Sequence, residues 1–262
     1  MKAKQTKQRK PDENLTPQQK VRREVIAWTW VILIFLLINA AVGQARVIPS
    51  ESMKNTLLVG DHLIMSRFGY DVGIPFTDIH QRLWRTPKRQ QIVIFRPVIS
   101  GESSDIIKRV IGLPGETVDV HDGAVWINGA RLREDYTVGR TEPADPNNYL
   151  GPLAGRKNIF PYTVPAGCFF VMGDNRGNSL DSRFTGCIPR EHIIGTPVII
   201  YMSIETPSEP WGSGAILDRV SAYANAVIHP SEIRWRRLFH RPAGSPRDIA
   251  GGSRGQPADA SA

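Results

Sequence analysis

Cysteine is scarce in this chain, and the shortage excludes two classes of protein. The 262 residues include two cysteines, too few for a disulfide-dense secreted scaffold or a Cys₄ zinc site. The six histidines are scattered and show no H-E-x-x-H pattern, so we expect no metal site and no cofactor. A composition that is 41% hydrophobic and 22% charged excludes both an entirely disordered chain and a multi-span membrane protein.

The excess of basic residues lies at the two ends of the sequence. Of the net charge of +8, residues 1–24 contribute +5 and residues 229–262 contribute +3. A nucleic-acid-binding protein normally carries its basic surface on the folded domain. Because the central residues are neutral overall, we expect no nucleic acid partner.

One long apolar run follows the basic N-terminal tail. Residues 25–42 contain no charge, and Trp28 and Trp30 lie near one end. As a helix the run is about 27 Å long, close to the thickness of the hydrocarbon core of a bilayer. We predict a single transmembrane helix at residues 25–43, with the basic tail of residues 1–24 in the cytoplasm. The alternative is a cleaved signal peptide, whose apolar core is usually shorter.

The residues beyond this run read mainly as short strands. The apolar patterns at residues 62–68, 91–95, 168–172 and 196–202 predict strands. The dipeptides Asp122-Gly123 and Asn128-Gly129 predict tight hairpin turns. We therefore predict a mainly β fold, with antiparallel or barrel-like sheets forming an exported domain at residues 44–241 and a smaller β subdomain at about residues 115–164.

The C-terminal part of the sequence changes character twice. Apolar residues at helical spacing predict a helix over residues 215–228. Residues 231–241 mix arginines with Trp235, Leu238 and Phe239, which suits either a membrane-surface segment or a solvated segment partly packed on the core. From Pro242 onward the Gly-, Ser- and Pro-rich composition predicts a disordered tail over residues 242–262.

Lys108 is the candidate base on chemical grounds alone. It lies in an apolar, strand-like run beside Arg109. A desolvated lysine loses its charge readily, and the neutral amine then accepts a proton. A guanidinium stays protonated, so only Lys108 of this pair is a candidate. The alternative is a strand lysine that merely reaches solvent.

Ser50 and Ser52 are the candidate nucleophiles, and a polar segment at residues 173–183 is a third cluster. A serine needs a nearby base to act as a nucleophile. Ser52 lies ten residues past Val42, so an extended chain keeps it within about 35 Å of the membrane face. Taken singly, the two serines fit an ordinary turn, and residues 173–183 fit an Asx-rich turn.

Taken together, these segments resemble the bacterial type I signal peptidases, membrane-anchored Ser-Lys proteases that remove signal peptides from exported proteins. The resemblance covers about residues 25–203 in family order. It is carried by the patterns P-S-x-S-M at residue 49, K-R-x-x-G-x-P-G at residue 108 and G-D-N-R-x-N-S-x-D-S-R at residue 173.

The resemblance implies a role for each matching residue. Ser52 is the expected nucleophile, Lys108 the general base, Ser50 a donor to the oxyanion and Ser179 the group that orients the lysine amine. Structural support of the site is expected from Arg109, Asp174, Asp181 and Arg183. For the substrate pocket we predict Met53, Leu57 and Phe68.

Three positions depart from the family pattern. Glu51 replaces a usual glycine, Asn55 a common proline and Gly177 a common aspartate. None of these changes removes a catalytic group, so they affect efficiency or preference rather than the reaction type. Cys168 and Cys187 flank the third motif, where either a disulfide or two separate buried thiols is expected.

The implied partners are signal-peptide-bearing precursors, membrane lipid and the export translocon, at a bacterial plasma membrane with the catalytic domain outside the cytoplasm. Two alternatives stay open: a relative dedicated to one secretion or conjugation substrate, and a non-catalytic membrane-anchored scaffold that binds exported chains. Self-cleaving repressors also pair Ser with Lys, but they carry a DNA-binding helical domain where this chain has its apolar run.

Overall fold

A computed structural model describes residues 16–41, 44–73, 80–82, 85–98, 104–205 and 216–244. Within these residues, three α-helices occur: α1 (Pro17–Ala41), α2 (Ser182–Thr185) and α3 (Ile216–Ile228). The strands run in chain order as β1 (Gln44–Val47), β2 (Asp61–Ser66), β3 (Asp71–Gly73), β4 (His80–Arg82), β5 (Ile92–Phe95), β6 (Ile106–Gly112), β7 (Thr117–His121), β8 (Ala124–Ile127), β9 (Ala130–Arg131), β10 (Tyr162–Thr163), β11 (Cys168–Met172), β12 (Ile188–Pro189) and β13 (Ile193–Ser203).

A seven-stranded antiparallel sheet dominates the fold. Its strand order is β1-β2-β13-β5-β6-β11-β12, so strands that are distant in sequence lie side by side. All four residues of β5 are buried, because Ile92 and Ile94 pack into one apolar cluster while Val93 and Phe95 pack into another. This burial on both faces explains the continuous apolar run in the sequence. The predicted mainly β fold with antiparallel sheets is confirmed.

A separate four-stranded sheet, in the order β10-β7-β8-β9, lies within residues 117–163. Its two hairpins turn at Asp122-Gly123 and Asn128-Gly129, where all four residues have positive φ values between 51° and 83°. Two consecutive positive φ values are the mark of the type I′ turn, whose twist matches that of paired strands. The predicted hairpin turns are therefore confirmed.

Helix α1 includes most of the apolar run, and its described side chains are exposed. Trp28 and Trp30 are 62% and 61% exposed. Within the described residues, no helix reaches the length and apolarity needed to cross a membrane. Residues 42–43 of the predicted span and the basic tail before residue 16 lie outside the described residues.

The predicted C-terminal helix is present, but the predicted start of the disordered tail at residue 242 differs from the structure. Helix α3 is present, and residue 215 of its predicted range lies outside the described residues. Pro242 is buried rather than the start of a disordered tail, and the Ala243 carbonyl accepts a hydrogen bond from Arg109. The prediction was wrong at this boundary because composition does not reveal a specific docking contact. The rest of the predicted tail, residues 245–262, lies outside the described residues.

The basic and aromatic segment at residues 231–241 packs on the domain with one side and exposes the other. Arg237 is half-buried, whereas Trp235 and Phe239 are 61% and 73% exposed. A position on a membrane surface stays a prediction.

Candidate active site

Ser52 lies in a single turn of 3₁₀-helix, Glu51–Met53, that the core holds in place. Met53 is 1% exposed and belongs to the main apolar cluster. On the N-terminal side, Ile48 exchanges backbone hydrogen bonds with Gly60 and Asp61. One buried side chain and these bonds therefore anchor a half-buried Ser52 and an exposed Ser50. Their hydroxyl oxygens lie 3.3 Å apart.

Lys108 lies in β6, next to the Ser52 turn, and is 4% exposed. The strand pairs with β5 and β11 and contacts the 3₁₀-helix that carries Ser52. Ser50, Ser52 and Lys108 line one cavity of about 680 Å³. The structure thus brings the three predicted catalytic residues to one place from two separate segments of the chain.

Gly173 allows the third motif to approach the Ser52 turn closely. A Cβ built at Gly173 would overlap Ser179 Oγ and lie 2.5 Å from the Ser52 carbonyl oxygen. Asn175 then donates its backbone N–H to the Ser52 carbonyl at 3.0 Å, and its side-chain amide to the Glu51 carbonyl at 3.2 Å. The third motif therefore fixes the backbone of the nucleophile turn.

Ser179 lies at this contact but does not make the predicted hydrogen bond. Among the described residues, its Oγ atom is buried and has no hydrogen-bond partner. The expected bond to the Lys108 amine is thus absent here, and the hydroxyl lies close to Gly173. An unpartnered buried hydroxyl costs about 1–3 kcal/mol, and this cost is relieved when the group acquires a partner.

Asp181 and Arg183, two of the residues expected to support the site, form a buried ion pair. The Arg183 Nε and Nη2 atoms each lie 2.9 Å from a carboxylate oxygen of Asp181. Asp181 also lines the cavity and accepts the Gly173 N–H at 3.0 Å. Burial raises the pKa of Asp181. The opposing effects of Arg183, the Gly173 N–H and the Lys108 charge are together larger, so the net pKa is below its usual value.

Arg109 and Asp174 form a second buried pair behind the site. They are 1% and 0% exposed by side chain. Arg109 donates to the two carboxylate oxygens of Asp174 at 2.8 and 2.6 Å. Its guanidinium also lies over the Tyr136 ring, 3.9 Å from the centroid. Because Asp174 immediately precedes Asn175, this pair sets the position of the residue that binds the Ser52 carbonyl.

Sequence reasoning missed Arg176 as a supporting residue. Its side chain is buried, pairs with Glu134, and donates to the Gly173 carbonyl at 3.0 Å. It therefore ties the third motif to the segment that follows β9. The density of polar groups at residues 173–183 marked the segment, but only the fold shows which partner each group takes.

Of the three residues predicted for the substrate pocket, the structure places one on the cavity wall. Met53 lines the cavity. Leu57 is 0% exposed within the main apolar cluster, and Phe68 is 58% exposed. In the part of the chain that the structure describes, neither belongs to the cavity lining, because Leu57 turns into the core and Phe68 lies in a turn beyond the end of β2.

The two cysteines form a disulfide between Cys168 and Cys187. Of the two alternatives that the sequence left open, the bridge is the one present. It joins the start of β11 to the residue before β12 and encloses the third motif. No group of three potential metal ligands occurs among the described residues.

The three departures from the family pattern occupy different surroundings. Glu51 lines the cavity with an exposed side chain, 3.7 Å from the Lys54 amine. Asn55 has a φ of 89°, a value that proline cannot adopt. Open space surrounds the position of a Cβ at Gly177.

Comparison with known proteins gives a consistent set of similarities. Residues 21–202 match the family model described as signal peptidase, peptidase S26. A signal peptidase I from Leptolyngbya laminosa is 38% identical over 68% of this chain and 78% of that protein. One from Pseudomonas aeruginosa is 31% identical over 68% of this chain and 71% of that protein. A crystal structure of a signal peptidase I from Enterococcus faecalis V583 is 32% identical, covers 43% of this chain and 97% of that chain, and has a TM-score of 0.31.

Proposed function

The chain belongs to the signal peptidase family, peptidase S26, and we propose that it cleaves N-terminal signal peptides from exported precursor proteins with Ser52 as nucleophile and Lys108 as general base. The observation that carries this assignment is the shared cavity, which Ser50, Ser52 and the buried Lys108 line together. A base within a cavity, next to a half-buried hydroxyl, is the arrangement that activates a serine.

The chemistry follows from these three groups. The neutral amine of Lys108 takes the proton of Ser52 Oγ, and the oxygen attacks the scissile carbonyl carbon. The Ser52 N–H and the Ser50 hydroxyl, 3.3 Å from Ser52 Oγ, donate to the developing oxyanion. Lys108 then protonates the leaving amine, and the mature protein departs. Water hydrolyses the acyl-enzyme by the same proton transfers in reverse order and releases the signal peptide.

Ser179 and Asp181 complete the surroundings of the base in this proposal. The Ser179 hydroxyl is buried next to Gly173 without a partner among the described residues, so it is available to orient the Lys108 amine once a substrate is bound. Asp181 is held by Arg183 and lies close enough to be influenced by the charge of Lys108. The two groups act on the position of the amine and not on the substrate.

The expected cut follows small side chains, as the family resemblance implies. An extended substrate that pairs with a strand edge directs the side chains one and three residues before the cut to the same wall, since strand side chains alternate. Met53 lies on the cavity wall next to Ser52. Glu51 adds a carboxylate at the cavity rim, which favours precursors with a basic residue near the cut.

Membrane attachment belongs to the same proposal. Apolar side chains of α1 such as Ile32 and Phe35 are more than half exposed, which suits contact with lipid. With the basic residues on the cytoplasmic side, the catalytic domain lies outside the cytoplasm. There it meets precursors as they leave the export translocon.

The test is cleavage of a model precursor by the detergent-solubilised full chain, with the cut site determined by mass spectrometry. We expect one cut after a small residue, and no product from Ser52→Ala protein that binds the precursor normally. Normal processing by purified Ser52→Ala protein would refute the assignment. Binding without any cleavage by the unaltered chain would instead favour a non-catalytic scaffold.

A further inference from the structure

The last described segment of the chain lies outside the family match, which ends at residue 202. We call residues 216–244 the C-terminal arm. It consists of α3 and two short 3₁₀ turns, Pro230–Glu232 and Trp235–Arg237. The arm docks along β2 and β13: the Tyr223 hydroxyl lies 2.8 Å from His62 Nε2, and the Phe239 N–H donates to the Ile200 carbonyl at 2.8 Å.

Arg237 of the arm contacts two residues that follow the nucleophile turn, Thr56 and Asp61. It donates to Asp61 through Nε at 2.9 Å and Nη2 at 2.5 Å. The same Nη2 atom donates to the Thr56 carbonyl at 2.9 Å. Asp61 is 0% exposed and also accepts the Ser203 hydroxyl at 2.6 Å and the Leu58 N–H at 2.8 Å. The carboxylate therefore holds the guanidinium in one fixed orientation.

Thr56 transmits this contact to the turn that carries Ser52. Its N–H donates to the carbonyl of Met53, the residue after Ser52, at 3.1 Å. Its hydroxyl donates to Asp174 at 2.5 Å and accepts from Arg109 at 3.1 Å. The Thr56 peptide is thus fixed from one side by the arm and from the other by the buried ion pair.

The far end of the arm reaches the same ion pair directly. The Ala243 carbonyl accepts from Arg109 Nη1 at 2.9 Å. A Cβ at Gly244 would overlap that Nη1 atom and lie 2.6 Å from the Gln90 carbonyl. Through Arg109 and Asp174, the arm is connected to the Asn175 N–H that binds the Ser52 carbonyl.

We propose that Arg237 is a positioning residue for Ser52, so that the C-terminal arm is part of the working peptidase site. This inference rests on the proposed role of Ser52 as the nucleophile. A 3₁₀ turn of three residues has few hydrogen bonds of its own, so contacts from outside set its position. A displacement of about 1 Å at a reacting group can cost about a hundredfold in rate.

The experiment compares variants at two neighbouring arginines in the full chain. Arg237→Met removes the contacts to Asp61 and Thr56, whereas Arg236→Met removes the same charge from an exposed residue of the same turn. We expect Arg237→Met to lower kcat for a model precursor by about ten- to a hundredfold with KM nearly unchanged. Arg237→Lys should recover part of kcat, because an ammonium binds Asp61 but lacks the fork that also reaches Thr56. Arg236→Met should match the unaltered protein.

Thermal unfolding of each variant separates positioning from stability. A kcat per folded molecule that is the same in Arg237→Met and Arg236→Met would overturn the proposal. If Arg237→Met does not fold, the kcat of Arg237→Lys decides: a normal value contradicts positioning and a reduced value supports it. Ser52→Ala in the same assay keeps the two hypotheses apart, because its activity tests the nucleophile and is independent of the arm.

Discussion

Lys108 and Arg109 are consecutive residues of one strand with opposite tasks. Lys108 lines the cavity beside Ser52. Arg109 points to the other face of β6 and donates to Asp174, Thr56 and the carbonyls of Gln90 and Ala243. We refer to Ser50, Ser52 and Lys108 as the cavity face, and to Arg109, Asp174 and their partners as the support face.

The comparison shows why the two cations are not interchangeable. The support face needs a permanent charge with several donors in a plane, which a guanidinium supplies. In the proposed mechanism, the cavity face needs an amine that can exist without its proton. Because strand side chains alternate, two adjacent residues place the proposed base on one face and a fixed cation on the other. The rigid face thereby positions the reactive one.

The largest effect on cleavage is expected when the lysine of the cavity face is replaced by an arginine, the cation of the support face. Lys108→Arg keeps a positive charge but removes the base, so we expect cleavage to fall by about a thousandfold or more, the upper part of the range for general base catalysis. Lys108→Ala should be equally inactive. Initial rates on a model precursor measure the loss, and near-normal activity of Lys108→Arg would contradict a base role.

The pH profile of the unaltered protein also tests whether Lys108 acts as a base. The base acts only in its neutral form, so cleavage should decline as the pH is lowered and the amine becomes protonated. A rate that stays flat between about pH 5 and 9 would argue against an amine base. The profile should be measured as kcat/KM, which reports on the free enzyme.

Breaking the support face should act mainly on stability. Arg109→Met leaves the buried Asp174 carboxylate without its cation, and such a change typically costs about 3–5 kcal/mol. The double variant Arg109→Met with Asp174→Leu should lose less, since no uncompensated charge remains. Urea unfolding of both variants provides the measurement. Equal losses in the single and double variants would show that the charge itself is not the cause.

The sequence predicted the local elements and indicated the candidate reactive residues, because both depend on short patterns. The hairpin turns at Asp122 and Asn128 follow from the backbone demands of two dipeptides. The strand around Lys108 follows from its apolar run. Ser52 and Lys108 were identified through motifs, and the fold places both on one cavity.

The contacts between distant segments of the chain were less predictable. Asp61 and Arg237 are 176 positions apart, and nothing in the pattern around either residue indicates the other. The disulfide was undecided for a related reason, since sequence spacing does not fix the distance between two strand ends. Leu57 was misassigned because an apolar residue near a motif fits a pocket as well as a core.

Removing the disulfide tests whether the support face depends on it. Cys168 and Cys187 are separated by 19 positions, and a loop of about this length corresponds to about 3 kcal/mol in the chain-entropy account. We expect the Cys168→Ser, Cys187→Ser double variant to be destabilised by up to that amount while retaining its kcat at low temperature. Denaturant unfolding and cleavage rates should be compared with those of the unaltered protein under reducing conditions.

A smaller effect is expected at Asn55, in the loop that follows the nucleophile turn. Its φ of 89° excludes proline, although proline is common at this position in the family. Asn55→Pro should destabilise the chain by more than about 1 kcal/mol and reduce cleavage, whereas Asn55→Gly, which tolerates positive φ, should do neither. An Asn55→Pro protein that is as stable and active as the Asn55→Gly control would show that the turn can change its conformation freely.

The smallest effect is expected from His62, which lies in β2 and contacts the C-terminal arm. Its ring lies 2.8 Å from the Tyr223 hydroxyl and 2.9 Å from the Gly60 carbonyl, and packs against Tyr201. Burial lowers the pKa of His62 below its ordinary value of 6.5, although Gly60 and Asp61 oppose the shift.

Because the folded protein therefore holds fewer protons on His62 than the unfolded chain, stability should fall as the pH drops below 6.5 and level off once the folded imidazole is protonated. The His62→Gln variant should lack this slope while keeping the slopes that carboxylates cause at lower pH. Unfolding free energies between pH 8 and 5 supply the comparison. An identical slope of stability against pH in both proteins would show that protonation of His62 does not contribute to the pH dependence of stability.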